Sequence, residues 1–176
     1  MGHGTLDADA FTDLLQQAGI EGLWDVRRYP GSRRHPHFAS AEMSHWLPDA
    51  GVAYRHVGAL GGRRKPDPDS PHVGLRNDQF RAYADHMATS GFTDPLKALV
   101  DEARERRVAI MCAESLWWRC HRRLVADHLV LVERVEVEHL FHDGRMNRHS
   151  PTPEARAVDG AVIYDVGTQG SLLDDG

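Results

Sequence analysis

The segment Cys112-Ala113-Glu114-Ser115-Leu116-Trp117-Trp118-Arg119-Cys120-His121-Arg122 gathers two thiols, a carboxylate, an imidazole and two guanidiniums into one short stretch. The thiolate, not the thiol, is the nucleophile. A cysteine at the mouth of a loop that enters a helix is held in that form by the helix N-terminus and by neighbouring Arg or His cations. The same donors bind phosphate and other oxyanions. These residue types therefore suit covalent chemistry on an anionic substrate. Cys112 would be the nucleophile, Arg122 and Arg27 would hold the anion, and Asp25, Glu114 or His121 would handle protons. A packing role competes at each position. Cys112 can equally be a buried apolar residue at a strand end, Cys120 a resolving thiol, a metal ligand or filler, and the two tryptophans can simply pack the loop down.

Positive charge is clustered elsewhere too. Arg27, Arg28, Arg33, Arg34, His35 and His37 form one run and Arg63, Arg64 and Lys65 a second, on a chain whose formal net charge is −5. A locally positive surface on an acidic protein points to an anionic partner. Arg33, His56 and Arg63 join Arg27 and Arg122 as candidate binding residues, with Trp118, Tyr29 or Phe38 as stacking surfaces. Confinement of the charge to two loops suits a small anionic molecule, or a single-stranded or flipped nucleotide, better than a duplex track. A nucleotide or nucleic-acid binding module without catalysis is thus the second reading. A metal or cofactor site is the third, since Cys112, Cys120, His121, His56 and His3 are suitable ligand types. No close CxxC pair and no HExxH is present, so no metal site is assigned, and no motif names a cofactor.

These groups need elements to position them. Leu6 to Ala18 carries apolar residues at helical spacing, with Thr5 able to cap and Gly19 to end the helix. Short apolar runs at residues 20–26, 52–57, 108–111 and 135–141 read as strands, and helical patterns fall at 41–47, 79–87, 94–106 and 122–131, with Pro95 in a first turn. Strands alternating with helices predict an α/β fold: a single three-layer domain with a mostly parallel sheet flanked by helices. Ligands of such sheets bind beyond the carboxyl ends of the strands. Asp25 with Arg27, His56, and Cys112 with Glu114 each follow a strand, so three distant groups are expected at one sheet edge. The long Gly-, Pro- and charge-rich stretch from Gly58 to Asp78 is expected to cover it.

At 176 residues, 41% of them apolar and 27% charged, the chain can bury one core without metal or disulfide support. The expected organisation is a domain over residues 1–156 and a loosely packed acidic tail over 157–176 containing Asp159, Asp165, Asp174 and Asp175. No stretch approaches 18 consecutive apolar residues, the first residues lack the regions of a signal peptide, and two cysteines are too few for a secreted disulfide scaffold. The expected location is the cytoplasm, away from membranes.

Taken together, Gly2-His3-Gly4, Asp25-Val26-Arg27 with Pro30 and Ser32, Leu60-Gly61-Gly62-Arg63, Cys112-Ala113-Glu114 and Cys120-His121-Arg122 resemble domain-of-unknown-function family 488. The likeness runs from about His3 to Ala155 and adds Ser32 to the candidate binding residues. It implies no activity. Members of that family usually have a strand before the Gly-His motif, whereas here only Met1 precedes Gly2, so either the start is shortened or that sheet position is empty or filled in another way, and a role for His3 does not carry over from the resemblance. A weaker resemblance is to rhodaneses, which also place Asp-x-Arg after one strand and a cysteine loop running into an arginine-bearing helix after another. Cys112 and Arg122 would occupy those places, in a longer loop without the rhodanese glycine pattern.

Overall fold

A computed structural model describes residues 1–31 and 34–167. Helix α1 (Ala8–Gln17) is capped by Asp7 rather than Thr5, the Asp7 carboxylate accepting the Ala10 N–H at 2.8 Å. It leads into β1 (Gly22–Asp25), α2 (Ser40–Asp49), β2 (Ala53–His56), α3 (Asp78–Met87), α4 (Ser90–Glu105), β3 (Val108–Met111) and α5 (Arg122–Leu131). Helix α4 begins four residues before the expected start, and Pro95 lies inside it. Phe92, fully buried, draws that extra turn onto the core.

The three strands form a parallel sheet in the order β2-β1-β3, with Gly22 opposite both Ala53 and Val108 and Asp25 opposite both His56 and Met111. Strand alternation sends Leu23 and Met111 to one face, where Phe11 and Leu15 of α1 and Met43 and Leu47 of α2 cover them. Trp24 and Val26 point to the other face, against Tyr83 of α3, Leu96 and Val100 of α4 and Leu124 and Val125 of α5. Burying such side chains contributes roughly 1.5–3 kcal/mol apiece, so the two apolar layers fix the sheet between the helices. The α/β architecture is as expected.

The sheet position before the Gly-His motif is partly filled by the chain start itself. Gly2 makes a parallel bridge with Cys112, the His3 N–H donates to the Cys112 carbonyl at 2.9 Å, and the Gly4 N–H to that of Ala113 at 3.1 Å. Both glycines are required. A Cβ on Gly2 would lie 1.9 Å from the Glu114 carbonyl oxygen, and one on Gly4, whose φ is +55°, 2.3 Å from Ser115 Oγ.

The C-terminal third departs from expectation. The run at 135–141 yields only β4 (Glu138–Leu140), which pairs antiparallel with β5 (Met146–Arg148) and stands apart from the parallel sheet. Residues 157–164, expected to begin a loose tail, instead belong to a second antiparallel hairpin, β6 (Ala155–Val158) with β7 (Ala161–Tyr164), turned at Asp159-Gly160 where both φ angles are positive. Val162 and Tyr164 join the core beside Leu124 and Tyr83, so the domain extends through β7. The expected tail residues Asp174 and Asp175 lie outside the described residues. No helix among the described residues is long and apolar enough to cross a membrane.

Candidate functional site

The loop between β3 and α5 folds back on itself and brings together groups eight residues apart. Cys112 Sγ, Cys120 Sγ and a ring nitrogen of His121 all lie within 4.8 Å of one another. Both cysteines are free thiols, Cys112 half-buried and Cys120 only 5% exposed. The buried Arg122 organises the loop from the first turn of α5. Its Nε donates to Cys120 Sγ at 3.4 Å, and its Nη2 donates to the Glu114 carbonyl. Nη1 is buried and has no partner among the described residues. His121 Nδ1 sits 3.5 Å from the same sulfur. Loop closure is completed by Glu114, whose Oε1 accepts the Leu116 N–H at 3.1 Å.

These contacts separate the two thiols electrostatically. The hydrogen bond from Cys112, and then His121 and Arg122, hold the Cys120 thiol well below the ordinary thiol range despite its burial. The Cys112 thiol is pushed up by its hydrogen bond to Cys120 and by burial. The two directions are opposite: it is Cys120, not the expected nucleophile Cys112, whose thiol is lowered. One signal for this was present in the sequence: His121 and Arg122 adjoin Cys120, not Cys112.

The glycines at residues 61 and 62 bring the long loop after β2 against this site. A Cβ on Gly61 would fall 2.6 Å from the Arg28 amide nitrogen, and one on Gly62 3.0 Å from His121 Nδ1. Tyr83 ties the same loop down by donating to the Leu60 carbonyl at 2.6 Å, with its ring 5.0 Å from that of His121. Arg28 and Arg64 stand on this rim. Arg28 Nη1 donates to the Arg63 carbonyl at 2.9 Å, and Arg64 donates to the Gly61 and Ala59 carbonyls at 3.0 and 2.5 Å. Partial burial and the neighbouring Arg28 charge lower the Arg64 pKa. An anion seated between them would relieve that repulsion.

A family model described as domain of unknown function DUF488 matches residues 7–129. The chain belongs to the DUF488 family. The matched span covers the parallel sheet, the five helices to within two residues of the end of α5, and the whole cysteine loop; it leaves out the Gly-His-Gly start and both C-terminal hairpins. No curated protein and no solved structure matches the chain.

Within this DUF488 domain the other expected site residues fare differently. Asp25 and Arg27, expected to handle protons and substrate, form a closed pair with each other. Asp25 is fully buried, bound by Arg27 Nε at 2.8 Å and Nη2 at 2.5 Å and by the Tyr54 hydroxyl at 2.7 Å. Arg27 Nη2 also donates to the Phe38 carbonyl at 2.7 Å, and Nη1 lies 3.3 Å from His3 Nε2. With its guanidinium spent internally, Arg27 fastens the end of β1 to the loop after it. Burial and Arg27 lower the His3 pKa to about 4, which leaves that imidazole neutral.

His56 is two strands from the thiols, its Nε2 held by the Arg27 carbonyl at 2.8 Å, and Arg63 is exposed in a left-handed backbone conformation with φ +60°. Trp118, 43% exposed, lines a 640 Å³ groove with Phe80, Trp117, Arg123 and Thr152, a lining that includes neither cysteine. Ser32 and Arg33 lie outside the described residues. Cys112, Glu114, His121 and Arg122 are therefore brought together, while Asp25, Arg27, His56, Arg63 and Trp118 are not.

Sequence reading also missed a buried chain behind the loop. Asp127 Oδ1 accepts from His149 Nε2 at 3.0 Å, His149 Nδ1 lies 2.9 Å from His139 Nε2, and the His139 ring stacks on Trp117 with centroids 3.8 Å apart and planes 3° from parallel. Burial, with the neighbouring His149, lowers the His139 pKa to about 3. The chain braces the cysteine loop from the C-terminal hairpins.

Proposed function

We propose that this protein is a cysteine-dependent enzyme acting on an anionic substrate, with Cys120 rather than Cys112 as its nucleophile. The observation that carries the reading is the convergence of Cys112, His121 and Arg122 on the Cys120 sulfur. A thiolate stabilised by hydrogen bonds and a guanidinium is nucleophilic at neutral pH, where a free thiol near pKa 8.5 is mostly protonated. Support for an anionic substrate comes from Arg28 and Arg64 on the rim beside His121, positioned to hold phosphate or carboxylate groups while Cys120 attacks. In this reading His121, whose Nδ1 lies 3.5 Å from Cys120 Sγ, returns a proton to the leaving group.

Alkylation across a pH series in the Cys112→Ser protein tests this, because the serine hydroxyl still donates to the Cys120 sulfur. Cys120 is expected to alkylate with a midpoint well below about 8.5, to react faster with anionic iodoacetate than with neutral iodoacetamide once intrinsic reactivities are divided out, and to lose that preference in Arg64→Ala. A midpoint at or above the free-thiol value, or a thiol inert at every pH, would overturn the assignment.

A further inference from the structure

Attack by Cys120 alone leaves Cys112 without a chemical task, yet the two Sγ atoms lie within 4.8 Å of each other. A disulfide brings sulfurs to about 2.05 Å, so closing the gap takes a small movement of one partner. Cys112 is the fixed one, bonded through its backbone to Met1 and His3 at the end of β3. Cys120 ends a single turn of 3₁₀ helix, Trp117–Arg119, whose closing bond is the Cys120 N–H to the Trp117 carbonyl at 3.2 Å. The approach over His121 is kept open by Gly62, where any side chain would press on the imidazole. Arg28 and Arg64 are tied to carbonyls of this same loop through Arg28 Nη1 and Arg64 Nε and Nη2, and among the described residues Arg28 Nη2 and Arg64 Nη1 have no hydrogen-bond partner.

From this geometry we infer that the pair is a dithiol that reduces a small disulfide bearing carboxylate groups, Cys120 attacking and Cys112 resolving. The inference rests on the assignment of Cys120 as nucleophile and names the substrate class for that same site. The Cys120 thiolate attacks one sulfur of RS–SR, forming Cys120–S–SR and releasing RS⁻. Cys112 then gives up its proton to RS⁻, and its sulfur attacks Cys120 Sγ; the Cys112–Cys120 bond forms and a second RS⁻ leaves. Two electrons pass from the dithiol to the substrate, and its S–S bond is exchanged for an internal one. Arg28 and Arg64 hold the carboxylates, and the Arg122 and His121 contacts to Cys120 Sγ are surrendered as that sulfur loses its charge.

Reduced full-length protein treated with glutathione disulfide, followed by intact mass and peptide mapping, is the test. The wild type is expected to lose two hydrogens, release two glutathione thiols per chain and yield a Cys112–Cys120 cross-linked peptide. Cys112→Ser should stall with one glutathione on Cys120, and Cys120→Ser should react about tenfold or more slowly. Cystamine, a cationic disulfide, should be slower than glutathione disulfide in the wild type, with the difference narrowed in Arg64→Ala. A wild-type protein that keeps a stable glutathione adduct, or that ignores both disulfides while Cys120 still alkylates below the free-thiol pKa, overturns the dithiol inference and leaves the nucleophile standing. A protein that neither reacts with disulfides nor alkylates at depressed pH overturns both.

Discussion

Asp127 offers a quantitative test of how the C-terminal hairpins are held. It lies fully buried on α5, and its two oxygens accept four hydrogen bonds: from the Thr152 N–H at 2.8 Å and His149 Nε2 at 3.0 Å on one, and from the Thr152 hydroxyl at 2.7 Å and the Tyr164 hydroxyl at 3.0 Å on the other. Asp127→Ala strands all four donors in the interior, where each unsatisfied group costs about 1–3 kcal/mol. The hydroxyls and the imidazole can turn toward a water entering the vacated space, but the Thr152 N–H cannot, so the expected loss is about 3–5 kcal/mol rather than the full sum. Asp127→Asn behaves differently. Its oxygen keeps the Thr152 N–H and His149, and its NH₂ faces two hydroxyl oxygens able to accept, which limits the loss to about 1 kcal/mol. Urea unfolding followed by tryptophan emission measures both variants. An alanine variant within about 1 kcal/mol of the wild type, or one no less stable than the asparagine variant, would refute this account of stranded donors.

Two further outcomes follow from the buried histidines and from the glycine pair. His3 and His139 titrate near pH 4 and 3 when folded, against 6.5 for the ordinary side chain. Between those limits the unfolded chain binds more protons, so stability falls as pH drops below about 6.5 and levels off once the folded histidines protonate. Denaturation midpoints from pH 7 to 4 should trace this decline, His139→Gln should flatten it, and an unchanged slope in that variant would argue against His139 as a source. Gly61→Ala places a Cβ 2.6 Å from the Arg28 backbone nitrogen, which cannot yield as a side chain would. A loss of about 1–3 kcal/mol is expected, together with slower Cys120 alkylation as the Gly62 segment is displaced; wild-type values for both would contradict the close approach.

Much of this protein was legible in the chain itself. The alternation of apolar runs and helical patterns set the three-layer α/β fold, because periods of 2 and 3.6 are local properties that burial only has to ratify. The cysteine loop also stood out locally, through the density of reactive residue types between β3 and α5. The Asp159-Gly160 turn and the apolar run Ala161 to Tyr164 carried a readable hairpin signal that was outweighed by the acidic residues around it.

What the sequence could not decide was which groups meet. Asp25 and Arg27 sit at a strand end as expected, but Arg27 curls back onto its own strand neighbour and the Phe38 carbonyl, so that the two are bonded to each other. Cys112 and Cys120 become partners only because Arg122 reaches across the loop to the Glu114 carbonyl and folds it shut. His139, His149 and Asp127, far apart in sequence, become one hydrogen-bonded chain only when the hairpins dock on α5. Residue type and periodicity determined the elements and the reagents. The distances and shared burial that choose between a thiol and a thiolate, or between a free guanidinium and a locked one, depend on contacts between segments and arose only in the folded structure.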